Sequence, residues 1–123
     1  MTTIQHLIHG QLTDGQGGRS ADVFNPATGE AIRRVALADV ATVQQAIDSA
    51  KQAFPAWRNT PPAKRAQVMF RFKQLLEQHE DAIAKLIAEE HGKTREDAAG
   101  ELKRGIETVS YTHLRAHETR EDL

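Results

Sequence analysis

The sequence has 123 residues, enough for one domain of ordinary size. Charged residues make up 27% and hydrophobic ones 39%, with a formal net charge of -1. This balance excludes a disordered charged tail and gives neither nucleic acid nor anionic lipid an electrostatic foothold.

There is no cysteine, so disulfides, thiolate metal sites and thiol nucleophiles are excluded from this stretch. No apolar run approaches the length of a membrane span. Met1-Thr2-Thr3-Ile4-Gln5-His6 lacks the basic-then-apolar order of a signal peptide, and a cytoplasmic protein is expected.

A short apolar-bearing run, His6 to Leu12, ends in the glycine-rich turn Thr13-Asp14-Gly15-Gln16-Gly17-Gly18. Ala21 to Phe24 and Ala31 to Val35 read as the two strands of a hairpin. In the intervening Asn25-Pro26-Ala27-Thr28-Gly29-Glu30, Pro26 presets a turn φ, and Gly29 is free to take φ > 0 at the exit. From Asp39 the period becomes helical, with Val40, Val43, Ala46, Ile47, Ala50 and Phe54 on one face. Asp39 is the predicted N-cap and Pro55 the predicted stop, leaving Trp57 just outside the helix.

Thr60-Pro61 predicts the next helix start. Its apolar stripe runs Val68, Phe72, Leu75, Leu76, then Ile83, Leu86, Ile87, with His79 in phase. The segment reads either as one helix to His91 or as two with a bend near His79-Glu80-Asp81, and Gly92 stops it. Thr94 to Asp97 has the form of a capping box and opens a third helical segment, with Ala98, Leu102, Gly105, Ile106 and Val109 on one side. Gly100 and Gly105 within it suggest close approach by another element.

Possible sites have blander explanations. Gly92-Lys93-Thr94 lacks the earlier glycine of a phosphate loop, because Ile87 stands there inside a helix. The glycines at 15, 17 and 18 miss the dinucleotide spacing, because Ser20 takes the last position. His113 and His117 share a helix face, but Leu114 replaces the glutamate a zincin needs and no third ligand is evident. His79 is expected to be a buried, hydrogen-bonded histidine. Glu89-Glu90 and Glu96-Asp97 are sequential pairs that diverge on a helix, and Lys64-Arg65 is expected on a solvated face. No catalytic, cofactor-binding or metal-ligating residue is assigned.

Several phrases resemble the N-terminal region of aldehyde dehydrogenases, from His6 to about Val109. Asp22-Val23-Phe24-Asn25-Pro26-Ala27-Thr28-Gly29-Glu30 is similar to that superfamily's early hairpin. Ala53-Phe54-Pro55-Ala56-Trp57, with Thr60 and Arg65 after it, is similar to its next signature. Glu90-His91-Gly92-Lys93-Thr94 and the stretch Asp97-Ala98-Ala99-Gly100-Glu101-Leu102-Lys103-Arg104-Gly105-Ile106-Glu107 resemble the CoA-acylating branch that acts on methylmalonate semialdehyde.

The resemblance implies an α/β parent with a Rossmann-like NAD domain, a catalytic domain and an oligomerising β-ribbon. This stretch would be its hairpin and amphipathic helices, mainly α, packed around the NAD domain. A cysteine thiolate attacks the aldehyde, hydride passes to NAD, and CoA takes the acyl group with decarboxylation. The products are propionyl-CoA from methylmalonate semialdehyde, or acetyl-CoA from malonate semialdehyde. The resemblance further implies a homo-oligomeric parent and a place in valine breakdown. None of that machinery maps onto residues present, so the stretch alone is expected to be inactive. A hydrolytic branch of the same superfamily and a non-enzymatic helical interaction module are the other readings.

The resemblance ends after Val109. Residues 110–123, from Ser110-Tyr111-Thr112-His113 to Glu121-Asp122-Leu123, resemble a stretch seen at the ends of unrelated proteins where adapter DNA has been translated. They are read as a non-family tail of artefactual origin, a genuine divergent C-terminus being the alternative.

Overall fold

The computed structural model describes residues 1–118, with side chains through Tyr111, as five short strands followed by four helices. The backbone is 59% helical, as expected for a mainly α stretch of an α/β parent. Two compact units divide it, Met1–Asn59 and Thr60–Leu123.

In the first unit the predicted hairpin forms over a longer span. Strands β4 (Arg19–Asn25) and β5 (Glu30–Leu37) pair antiparallel, with a register shift between Val23 and Phe24. Gly29 closes their turn at φ 74, and its N–H donates to the Asn25 carbonyl at 2.8 Å. A side chain there would strain the backbone, so the glycine is conformational. Strand β1 (Thr3–Ile4) adds parallel to the other edge of β5, giving the sheet order β1-β5-β4.

The His6–Leu12 run is itself a hairpin, of β2 (His6–Ile8) and β3 (Gln11–Thr13). Its two-residue turn holds His9 and Gly10 at φ 52 and 73. Positive φ at both central positions gives the twist that matches flanking strands. Non-glycine residues are uncommon at positive φ and His-Gly is not among the strong hairpin pairs, and this is why the turn is hard to see in the sequence.

Helix α1 spans Val40–Asn59 and runs straight through Pro55, so the predicted stop is wrong and Trp57 lies inside the helix. Proline removes one N–H, whose acceptor would be the Lys51 carbonyl. Lys51 and Pro55 are both exposed, so water reaches that side of the helix and lessens the penalty. The expected apolar face exists but is largely uncovered: Val40 is 87% exposed and Ile47 53%.

In the second unit, α2 is Pro62–Gln78, with Pro61 as its cap residue and no side-chain cap bond. The start lies one residue later than predicted. Pro62 forces the residue before it out of the helical region, and Pro61 sits at φ -52, ψ 140.

The His79 junction resolves to two helices, with α3 at Glu80–His91. His79 bridges them at φ -106, ψ 17, its N–H bonded to Leu75 O and its carbonyl to Ile83 N–H. It is exposed rather than buried, and as the residue between two helices it continues the stripe of neither.

Gly92 ends α3 in the left-handed region at φ 76, as expected. Helix α4 (Arg95–Glu118) then packs on α2 and α3. Its predicted face supplies the core: Ala98, Leu102 and Ile106 are buried, together with Ala84 of α3. Gly100 and Gly105 have nothing within 4 Å of where a Cβ would stand, contrary to the close approach expected of them. Among the described residues no helix is long and apolar enough to cross a membrane.

Candidate functional site

Polar side chains are organised in two places. In the first unit, Asp39 caps α1 as predicted, and its Oδ1 accepts the Thr42 N–H at 2.8 Å. The same oxygen accepts the Thr42 hydroxyl at 2.6 Å. Thr42 Oγ1 in turn accepts the Gln16 N–H at 3.2 Å, and Thr42 is the buried polar residue of the unit, 1% exposed. The two Thr42 donors, side chain before backbone, hold the Asp39 carboxyl below its ordinary range, with a further contribution from the Arg19 charge.

In the second unit, the three residues once weighed as a phosphate loop each serve the α3–α4 joint. Gly92 closes α3. Lys93 Nζ pairs with Glu101 Oε2 at 2.7 Å. Thr94 Oγ1 accepts the Asp97 N–H at 3.2 Å and donates to Asp97 Oδ2 at 2.8 Å, completing the capping interaction. The Lys93 hydrogen bond and charge hold the Glu101 carboxyl below its ordinary range, with smaller help from His91 and Arg104.

The remaining candidates do not converge. Glu89 is paired with Lys85 at 3.8 Å, and Asp97 is engaged by Thr94. Arg65 is half-buried with Nε lacking a partner, so only Lys64 of that pair is on the expected solvated face. The side chains of His113 and His117 lie outside the described residues. Among the described residues no three His, Cys, Asp or Glu side chains gather as a metal site. An open groove of about 510 Å³ lies beside Ile87, Leu102 and Gly105, rimmed by Glu90, His91 and Glu101.

Sequence reasoning missed Thr42 and the Lys93–Glu101 pair. Asp39-x-x-Thr42 places a hydroxyl where its own N-cap reaches it, a signal available in the spacing. Lys93 and Glu101 are eight apart across a helix break, and no helical periodicity joins them.

The sequence profile of the aldehyde dehydrogenase family matches residues 12–122. The chain belongs to the aldehyde dehydrogenase family. It is 71% identical over 111 residues to a malonate-semialdehyde dehydrogenase of Pseudomonas aeruginosa, covering 90% of this chain and 22% of that protein. Its fold matches a crystal structure of methylmalonate-semialdehyde dehydrogenase from Oceanimonas doudoroffii at a TM-score of 0.88 and 63% identity, covering 92% of this chain and 23% of the other.

A methylmalonate-semialdehyde dehydrogenase structure from Sinorhizobium meliloti, solved with NAD, matches at a TM-score of 0.91 and 41% identity, covering 95% and 24%. The chain thus spans 22% of the length of the Pseudomonas relative, close to a fifth. The profile match crosses the expected break at Val109, which falls inside α4. Residues 119–123 of the expected tail lie outside the described residues.

Family membership raises the question of whether the glycine-rich loop fits the pyrophosphate of NAD. A phosphate cradle needs free backbone amides around an open concavity. Here the Gly15 N–H is bonded to Thr13 Oγ1 and the Gln16 N–H to Thr42 Oγ1. The space beside Gly17 is taken by Asp39, 3.1 Å from where a Cβ would stand. The loop is packed against its own helix and does not fit a dinucleotide.

Proposed function

We propose that this chain is the N-terminal segment of an NAD-dependent, CoA-acylating semialdehyde dehydrogenase, and that its role there is structural. The observation that carries this reading is the 71% identity over 111 residues to a malonate-semialdehyde dehydrogenase.

The parent reaction takes malonate or methylmalonate semialdehyde, NAD and CoA to acetyl-CoA or propionyl-CoA, NADH and carbon dioxide. A thiolate nucleophile is indispensable to that acyl transfer, and this sequence has no thiol. Nucleophile, NAD site and CoA site therefore belong to the rest of the parent, which we propose to be a cytoplasmic homo-oligomer. The tail from Ser110 we propose to be foreign to it.

A chimera tests the reading. Residues 1–109 of this chain replace the matching segment of the Pseudomonas relative, and NADH formation is followed with malonate semialdehyde. The expected outcome is CoA-dependent turnover in the chimera and none above blank from the chain alone. NADH formation by the chain alone would overturn the structural role. A chimera without turnover would show that this chain cannot take the place of the relative's segment.

A further inference from the structure

The glycine-rich stretch Asp14–Gly18 has no part in the proposed chemistry, yet it is held by a specific arrangement. We propose that the Thr42 hydroxyl is a latch that fastens this loop to the first turn of α1, and that the latch opens when the Asp39 carboxylate takes up a proton.

Two bonds run in series. An ionised carboxylate only accepts, so the Thr42 O–H points at Asp39 Oδ1, 2.6 Å away. That orientation turns the hydroxyl lone pairs toward Gln16, whose N–H donates to Thr42 Oγ1 at 3.2 Å. Bonds linked in this way polarise one another, and an ionised acceptor strengthens the chain.

The two glycines flanking Gln16 let the loop come close enough. A Cβ on Gly15 would stand 2.8 Å from Thr42 Oγ1 and 3.1 Å from Thr42 Cγ2, and Gly15 is held at φ 73. A Cβ on Gly17 would stand 3.1 Å from Asp39 Cβ. Glycine at 15 and 17 thus lets the backbone rest on the helix start at two adjoining points.

Protonation removes the charge that orders the chain. The Thr42 N–H and O–H both lose a charged acceptor, and the hydroxyl becomes free to turn. The charged group near the latch is Arg19 on β4, which favours the ionised carboxylate; the titratable group is His6 on β2, whose ring lies 3.4 Å from the Gly15 Cβ position. Asp14, within the loop, is bonded to Gln5. Replacing His6 separates its contribution from that of Asp39. Asp39 is held below its ordinary range, so the latch is closed above that range and opens as pH falls through the lowered value.

The test is amide hydrogen exchange on the full chain by NMR, read as protection factors so that intrinsic pH effects are removed. The Gln16 amide reports the latch. The Arg34 amide, bonded to Thr2 O in the same unit, reports unfolding of that unit.

Thr42→Val and Asp39→Asn are expected to lower Gln16 protection at neutral pH by about tenfold, the size of one lost charge-assisted bond, while Thr42→Ser keeps it. In the unmodified chain, acid should lower Gln16 protection before that of Arg34. The same acid step should persist in His6→Gln. Unchanged Gln16 protection in Thr42→Val would overturn the proposal, as would Gln16 and Arg34 losing protection together in acid. Because the acid titration uses the unmodified chain, a variant that fails to fold leaves that arm decisive.

Discussion

Lys93 Nζ and Glu101 Oε2 lie 2.7 Å apart, joining the turn after α3 to the second turn of α4. Two ion pairs link the first turn of α3 to α4, Arg95 with Asp81 at 3.6 Å and Lys103 with Glu80 at 4.0 Å. Glu101 is held ionised mainly by its hydrogen bond from Lys93. A carboxyl with a lowered folded value stabilises above the ordinary carboxylate range, and that support disappears as pH falls through the lowered value. Glu101→Gln should lower the melting temperature at neutral pH, and the difference from the parent chain should vanish in acid. Added salt should shrink it too, because both side chains are partly exposed. A difference that persists at acid pH would show that the pair does not act through charge.

Gly105 and Gly29 make opposite predictions from the same residue type. Gly105 is mid-helix with open space around it, so Gly105→Ala should stabilise the chain by about 0.4–1 kcal/mol. Gly29 sits at φ 74, so Gly29→Ala should destabilise it by about 1 kcal/mol. Urea unfolding reads both. Loss of stability in Gly105→Ala would mean that some element packs against that helix face.

Thr94 accepts the Asp97 N–H, which otherwise has no partner within α4. Thr94→Ala should cost about 1 kcal/mol and Thr94→Ser much less, measured by the same unfolding curves. Equal loss in both variants would point to the methyl group rather than the hydroxyl.

Leu102 is buried and Val40 is 87% exposed. Leu102→Ala should destabilise by about 2–4 kcal/mol, whereas Val40→Ala should stay within about 0.5 kcal/mol. Exposed Val68, Phe72 and Leu75 on α2 leave an apolar stripe in water and should drive self-association at high concentration. Sedimentation velocity checks this, and a monodisperse monomer across the concentration range would refute it.

Local chemistry was legible in the sequence. The Asp39 cap, the Gly29 turn, the Gly92 stop and the Thr94–Asp97 capping pair each depend on residues within a few positions of one another, where backbone sterics and short side chains decide the outcome. The α4 core face was legible for the same reason, since Ala98, Leu102 and Ile106 recur at helical spacing. The family was legible because whole phrases carry it.

Only the tertiary structure decided the rest. Passage of α1 through Pro55 depends on whether the affected turn faces solvent, which no local rule states. Exposure of His79 depended on where α2 gives way to α3. The role of the glycine-rich loop depended on Thr42, which is 26 residues from Gln16 and meets it only because α1 begins beside the strands. Lys93 and Glu101 likewise meet only once α4 has folded back on α3. Contacts of this kind are set by how elements pack, and the sequence encodes that packing through the whole chain rather than through any short motif.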